Sequence, residues 1–163
     1  MDLLTQHSKL KLRIELVPSS CWYSNVRENV PVKKWNAIRK KVYFVANDHC
    51  EICGGQGTRH PVECHEIWVY DEKTKIQKLD RFIALCPGCH EVVHMGLAEV
   101  RGFGDRALNR FAKINKMDYN QACKIRDAIF AQWEQRSLIT WKLDISFLDT
   151  FSTDLELPGL QLL

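Results

Sequence analysis

Hydrophobic and polar residues alternate over residues 10–17, which run Leu-Lys-Leu-Arg-Ile-Glu-Leu-Val, and this period of two predicts a strand with one buried face. Over residues 32–46, apolar residues recur at steps of three and four and basic residues fill the other face, which predicts an amphipathic helix. Residues 62–70 and 76–85 are two apolar segments joined by a polar turn, and we interpret them as a β-hairpin.

The second half of the chain is mainly helical in pattern. A short helix is predicted over residues 87–96, because Pro is tolerated in a first turn and Gly suits a C-terminal cap. Helical spacing over residues 105–115 and 118–136 predicts two further helices, and alternation over residues 138–147 predicts a last strand. Residues 148–163 are interpreted as a tail. Together these elements predict an α+β fold.

Composition narrows the class of protein. The 163 residues, 45% hydrophobic and 26% charged, suit one compact domain and exclude a largely disordered chain. The apolar segments fall far short of the roughly 20 residues of a membrane-spanning helix, and the N-terminus lacks a secretory signal, so we expect a cytoplasmic protein with no membrane partner. A net charge of +3 is too small to attract a polyanion globally, so a nucleic-acid partner would need a local basic patch.

Four of the seven cysteines form two Cys-x-x-Cys pairs, Cys50 with Cys53 and Cys86 with Cys89. Glycines beside both pairs allow backbone amides to point at the sulfur atoms. Four thiolates complete a tetrahedral zinc shell, and a closed shell of this kind is structural. Because we expect a reducing compartment, zinc is favoured over disulfides. The spacing therefore predicts a structural Zn²⁺ that joins the start of the hairpin to the start of the following helix.

A second group of metal-binding side chains lies between and just after the cysteine pairs. The first hairpin strand carries Glu63, His65 and Glu66, and the next helix carries His90 and His94. Residues four apart share a helix face, so both imidazoles of the helix can bind one ion. Three histidines and two carboxylates around one rigid frame predict a functional centre.

This arrangement resembles the HNH nuclease family, whose ββα-metal (His-Me finger) fold is often bracketed by two Cys-x-x-Cys pairs. The matching segments are Cys-Glu-Ile-Cys at 50–53, Val-Glu-Cys-His-Glu-Ile-Trp at 62–68, and Leu-Cys-Pro-Gly-Cys-His-Glu-Val-Val-His at 85–94. A looser resemblance to short bacterial and phage HNH proteins covers nearly the whole length.

The resemblance implies a single HNH nuclease domain over residues 1–163. Its ββα-metal core is expected at 48–96, and additional helices and flanking strands surround this zinc-stapled core. An N-terminal strand and a basic helix are expected at 10–46, C-terminal helices and a strand at 105–147, and a tail at 148–163.

The resemblance also implies metal-dependent hydrolysis of DNA phosphodiester bonds. His65 matches the general base that takes a proton from the attacking water, a role that suits an imidazole near neutral pH. His90 and His94 match metal ligands on the helix. The implied catalytic ion is Mg²⁺, Mn²⁺, Ni²⁺ or Zn²⁺, and it neutralises charge on the scissile phosphate.

Two positions depart from the family pattern. The family usually has an acid or a histidine just before the base, where this chain has Cys64, so Glu63 or Glu66 is expected to supply the missing oxygen ligand. The central Asn of the family falls at Arg81, which we expect to clamp a phosphate instead. A second assignment stays open, in which His65 binds the metal and Glu66 is the base.

The basic helix is the best candidate for contact with the DNA backbone, through Lys33, Lys34, Lys40 and Lys41. One centre cuts one strand at a time, so cleavage of both strands would favour a homodimer or two successive encounters. Partner proteins of a phage or defence system are also expected as candidates. Two alternatives stay open. One is a non-catalytic zinc-knuckle module that binds nucleic acid or protein, and the other is a degenerate HNH subunit of a larger nuclease complex.

Overall fold

A computed structural model describes residues 2–155 of the chain. Within them the chain forms helices and strands in a mixed α+β arrangement, as the pattern predicted. The helices are α1 (Leu3–Ser8), α2 (Val26–Asn29), α3 (Val32–Val45), α4 (Pro87–Val93), α5 (Met95–Val100), α6 (Gly104–Ile114) and α7 (Tyr119–Ser137). The strands are β1 (Glu63–Asp71), β2 (Ile76–Leu85) and β3 (Lys142–Asp144), and short 3₁₀ turns lie at Ser19–Cys21 and Ser146–Asp149.

The predicted hairpin is the centre of a three-stranded sheet of order β1-β2-β3. Strands β1 and β2 are antiparallel, and their register runs from the Glu63–Leu85 pair to the Asp71–Ile76 pair. The carboxylate of Asp71 accepts two backbone N–H groups of the turn, which closes the hairpin. Strand β3 adds to β2 in parallel. The hairpin end that carries Glu63 and Leu85 thus lies next to the start of α4.

Residues 10–17, which we call the strap, do not form the predicted strand. Leu12 and Ile14 are buried, so the alternation did report one buried face. However, the N–H of Ile14 donates to Nε2 of His7, and the N–H of Leu12 donates to the side-chain oxygen of Asn115. Because side chains satisfy these backbone groups, the strap needs no neighbouring strand.

The helix predicted over residues 87–96 is divided at His94. Helix α4 ends at Val93, His94 has φ −92° and ψ 42°, and α5 begins at the next residue. Gly96 therefore lies inside α5 and is not a C-terminal cap. A Cβ atom at Gly96 would lie 3.4 Å from the side chain of Leu16 in the strap, so the missing side chain permits close packing there.

The C-terminal strand is much shorter than the predicted range of 138–147. The chain after β3 turns into a 3₁₀ segment, and Leu148 is 8% exposed. The rings of Phe147 and Phe151 contact the ring of Phe82 on β2, with centroids 5.9 and 5.2 Å apart. The first part of the predicted tail is thus packed against the core, and residues 156–163 lie outside the described range.

Helix α6 lies at the centre of the core. Its residues Leu108 and Phe111 are fully buried, and it contacts α4, α5 and α7. Ile38 of α3 and Leu79 of β2 are also fully buried in the same cluster. Helix α3 packs against the hairpin and α6 packs against α4, and these contacts hold the end of the hairpin in place.

Candidate metal centres

The two cysteine pairs meet at one end of the hairpin. Cys50 and Cys53 follow α3, and Cys86 and Cys89 lie between β2 and the first turn of α4. Their four sulfur atoms lie within 4.8 Å of one another, and all four are free thiols. The Sγ atoms of Cys53 and Cys86 are 3.6 Å apart, close to the edge of about 3.8 Å expected for Zn–S bonds of about 2.3 Å in a tetrahedron. The cluster therefore fits a structural metal such as zinc.

A tight turn presents the first cysteine pair. The N–H of Gly54 donates to the carbonyl of Cys50, and the N–H of Cys50 donates to the carbonyl of Gly55. Gly54 has φ +73°, a conformation that favours glycine. A hydrogen bond from the Cys89 thiol lowers the pKa of Cys50, and the same contact raises the pKa of Cys89. Cys50 is therefore the first of this pair to reach the thiolate form that binds metal.

Arg110 of α6 lies over the cysteine cluster. Its Nη2 atom is 3.5, 3.3 and 3.4 Å from the sulfur atoms of Cys53, Cys86 and Cys89. A Cβ atom at Gly88 would lie 2.9 Å from the guanidinium carbon, so only a glycine leaves room for this approach. Four thiolates and one divalent ion carry a net charge of −2, and the guanidinium offsets part of it. The sequence motif did not indicate Arg110, because α6 lies outside it.

The three predicted histidines form a second cluster beside the first. His65 of β1 faces His90 of α4 and His94 at its end, and one ring nitrogen of each lies within 4.8 Å of the others. The Nε2 atoms of His90 and His94 are 3.1 Å apart. Tetrahedral Zn–N bonds of about 2.1 Å would separate two ligand nitrogens by about 3.4 Å, so the pair fits one shared ion.

Burial sets the protonation of this cluster. Burial, together with the neighbouring His65 and His90, lowers the pKa of His94 to about 3. Burial also lowers the pKa of His90, although the nearby Glu63 opposes the shift. Neutral imidazole is the form that binds a metal ion. Both helix histidines are therefore in the metal-binding form at neutral pH.

Glu63 contacts the cluster from outside. Its Oε2 atom lies 2.5 Å from Nδ1 of His90, and its Oε1 atom lies 2.9 Å from Nε2 of His60. A carboxylate on Nδ1 leaves Nε2 of His90 free to face His94, an arrangement common around metal-binding histidines. The structure thus places Glu63 in contact with His90, and the expectation that Glu63 or Glu66 supplies an oxygen ligand stays a prediction.

Glu66 lines the same cavity as His65, but it is not part of the group of three histidines that could share an ion. Successive side chains of a strand point to opposite faces, so Cys64 and Glu66 lie across β1 from His65. One carboxylate oxygen of Glu66 accepts the N–H of Val26 at the start of α2. Burial raises the pKa of Glu66 and raises that of Cys64 to about 12. The period of the strand was the sequence signal that could have separated Glu66 from the site.

Glu15 is a neighbour of the histidine cluster that the sequence analysis missed. Its Oε2 atom lies 3.3 Å from Nε2 of His65, and its Oε1 atom accepts from Arg13 at 3.2 Å. The predicted strand placed Glu15 on its polar face, where it resembles an ordinary surface residue. No local motif indicates a contact between residues 50 positions apart.

A cavity of 1110 Å³ borders the histidine cluster. Its lining includes His65 and His94 together with three arginines, Arg13, Arg27 and Arg136. Guanidinium groups bind phosphate oxygens with paired hydrogen bonds. Three glutamates line the same cavity, so it combines a candidate metal centre with guanidinium groups whose charge is balanced by carboxylates.

Arg81 lies outside that cavity lining. It is on β2, its side chain is 48% exposed, and its Nη1 atom is 4.0 Å from Oε2 of Glu51. A half-exposed guanidinium with one weak ion pair can still reach an external phosphate.

Three of the four predicted DNA-contacting lysines are exposed on α3, namely Lys33, Lys34 and Lys40. Lys41 differs, because it is 9% exposed and its ammonium donates to the backbone carbonyl of Asp154. The helical pattern placed Lys41 on the basic face, but the segment after β3 covers it. The accessible basic surface of α3 is therefore smaller than predicted.

Comparisons with protein-family models, with curated proteins and with solved structures find no match to this chain. Within residues 2–155, none of the helices has both the length and the apolar character needed to cross a lipid bilayer.

Proposed function

We propose that this chain is a metal-dependent DNA endonuclease that hydrolyses phosphodiester bonds at the histidine cluster. The observation that carries the proposal is the meeting of His65, His90 and His94 beside a four-cysteine centre. Four thiolates close a metal site, whereas three imidazoles leave a coordination position open for water or a phosphate oxygen. The two clusters thus suit different tasks, one structural and one catalytic.

The cavity supports a phosphodiester substrate. The arginines in its lining offer guanidinium groups that can donate hydrogen bonds to phosphate oxygens, alongside three glutamates. A divalent ion, when bound, would neutralise charge that develops on the phosphate and the leaving oxygen. Imidazole ligands favour transition metals over Mg²⁺, so Mn²⁺, Co²⁺ or Ni²⁺ should support more activity than Mg²⁺.

His65 has two possible roles within this proposal. As a general base it would take a proton from the attacking water, and as a ligand it would join His90 and His94 in holding the ion. The convergence of three ring nitrogens supports the ligand role, and the match to the family motif supports the base role. Glu66 is the weaker candidate for a base, because its carboxylate caps α2 on the other face of β1.

Cleavage of supercoiled plasmid and of labelled single-stranded DNA by the zinc-loaded protein tests the proposal, with each divalent ion in turn. We expect nicking in wild type and loss of nicking in His90→Ala, with Lys75→Ala, in the exposed hairpin turn, as a matched surface control. If every ion leaves both substrates intact while the protein still binds DNA, the zinc-knuckle module replaces the nuclease.

The variant His65→Ala separates the two roles. If His65 is the base, the variant should keep its affinity for the catalytic ion and lose a factor of about 100 to 10,000 in rate. If His65 is a ligand, titration of Mn²⁺ or Co²⁺ into the same variant should show weaker binding. In both cases the cysteine-bound zinc should stay in place, which elemental analysis checks.

A further inference from the structure

Glu15 of the strap contacts the histidine cluster, and three contacts hold it in place. The backbone N–H of Glu15 donates to the carbonyl oxygen of Val93 at 2.9 Å, which ties the strap to the end of α4. Its Oε1 atom accepts from Arg13, and its Oε2 atom lies 3.3 Å from Nε2 of His65. The side chains of His65 and Glu15 are 6% and 19% exposed, so water competes little for this contact.

We infer that Glu15 is the positioning residue of His65. A carboxylate only accepts hydrogen bonds, so the contact requires the proton of the imidazole to be on Nε2. In a neutral ring, Nδ1 then carries no proton and is the nitrogen available for chemistry. The catalytic meaning of this inference rests on the proposed function, and both roles of His65 need one free ring nitrogen.

Glu63 makes the equivalent contact with a second histidine through the other ring nitrogen. Its Oε2 atom contacts Nδ1 of His90, and Nε2 of that ring has no carboxylate partner in this contact. Carboxylates that bind the outer nitrogen of a histidine fix both its tautomer and its ring orientation. The two carboxylates therefore contact opposite ring nitrogens, and they leave Nδ1 of His65 and Nε2 of His90 free of a carboxylate partner.

Long-range ¹H–¹⁵N correlation spectra of the ¹⁵N-labelled protein test this inference directly, because they show which ring nitrogen carries the proton. The sample holds zinc in the cysteine centre and no other ion, and His65→Gln identifies the resonances of His65. We expect the proton on Nε2 of His65 in wild type. Glu15→Met keeps the side-chain length but accepts no strong hydrogen bond, and it should shift His65 toward the Nδ1–H form.

Glu63→Met is the matched control for Glu15→Met. It should alter the tautomer of His90 and leave that of His65 unchanged, whereas a general structural disturbance would alter both rings. A proton on Nδ1 of His65 in wild type, or an unchanged His65 tautomer in folded Glu15→Met, would overturn the inference. The wild-type spectrum decides the point by itself if Glu15→Met does not fold.

Activity gives a separate measurement. In the plasmid assay, Glu15→Met should reduce kcat by about 10-fold to 100-fold, the usual effect of losing such an outer partner, with KM for DNA unchanged. A kcat equal to that of wild type would overturn the positioning role. If wild type cleaves no DNA but shows the Nε2–H tautomer, the proposed function fails while the hydrogen bond between Glu15 and His65 is supported.

Discussion

Lowering the pH should break the hydrogen bond by which His7 holds the strap in place. His7 is buried, and its Nε2 atom accepts the N–H of Ile14 at 2.9 Å. Burial, together with the positive charge of Arg13, lowers the pKa of His7 from 6.5 to about 4, and Glu15 opposes the shift. A protonated ring cannot accept this hydrogen bond, so protonation removes an anchor one residue away from Glu15.

The sign and size of the effect follow from linkage. Between pH 6.5 and about 4 the unfolded chain binds the proton at His7 and the folded chain does not, so stability falls as the pH is lowered. At about 1.4 kcal/mol per unit of pKa, the full loss is about 3 kcal/mol. Of this, about 2 kcal/mol should be lost between pH 7.5 and 5. Against a total stability of about 5–15 kcal/mol, this change is easily measured.

Urea unfolding followed by tryptophan fluorescence, at pH 7.5 and at pH 5 with zinc present, measures the effect. The control is His7→Gln, whose side-chain oxygen can accept the N–H of Ile14 but binds no proton. We expect wild type to lose about 2 kcal/mol more than His7→Gln over this interval. Other histidines titrate in both proteins, so their contribution cancels. Equal pH dependence in the two proteins would refute the reasoning.

Three further predictions concern the cysteine centre and the core. Elemental analysis of wild type should find about one zinc per chain. Cys86→Ser should lose both zinc and thermal stability, because zinc binding contributes to folding. A Cys86→Ser protein that kept its zinc would contradict this prediction. Arg110→Met should release zinc to a chelator faster than wild type. Gly88→Ala should also speed zinc release, because its Cβ atom would displace the guanidinium of Arg110. Equal release rates in all three proteins would exclude a role for Arg110. Phe82→Ala should lower the unfolding free energy in urea by about 3–5 kcal/mol. A change below about 1 kcal/mol would show that Phe82 is not packed in the core in solution.

Local features of the sequence were sufficient for several elements. The hairpin was predicted within one residue at each end, because alternation and a polar turn are both local signals. The proximity of the two Cys-x-x-Cys pairs was also predictable from the sequence. A hairpin that starts after one pair and ends before the other brings the two pairs together. His90 and His94 lie on one helical turn, so their proximity needed only the start of α4 at Pro87.

The strap shows where local pattern stops being informative. Leu12 and Ile14 are buried alternately whether the backbone pairs with another strand or is satisfied by side chains. The periodicity is the same in both cases, so it could not indicate that His7 and Asn115 replace a neighbouring strand. The predicted strand was therefore wrong in its hydrogen bonding and correct in its burial.

The sequence alone determined which side chains form the two candidate ligand groups, because ligand residues at fixed spacing are set by the local geometry of turns and helices. The tertiary structure decided which groups surround each centre. Glu15 reaches His65 across 50 residues, and Arg110 reaches Cys53 across 57 residues. Such contacts depend on how α6 and the strap pack against the rest of the fold. This packing results from many weak hydrophobic contacts, and the local periodicity of the sequence does not specify them.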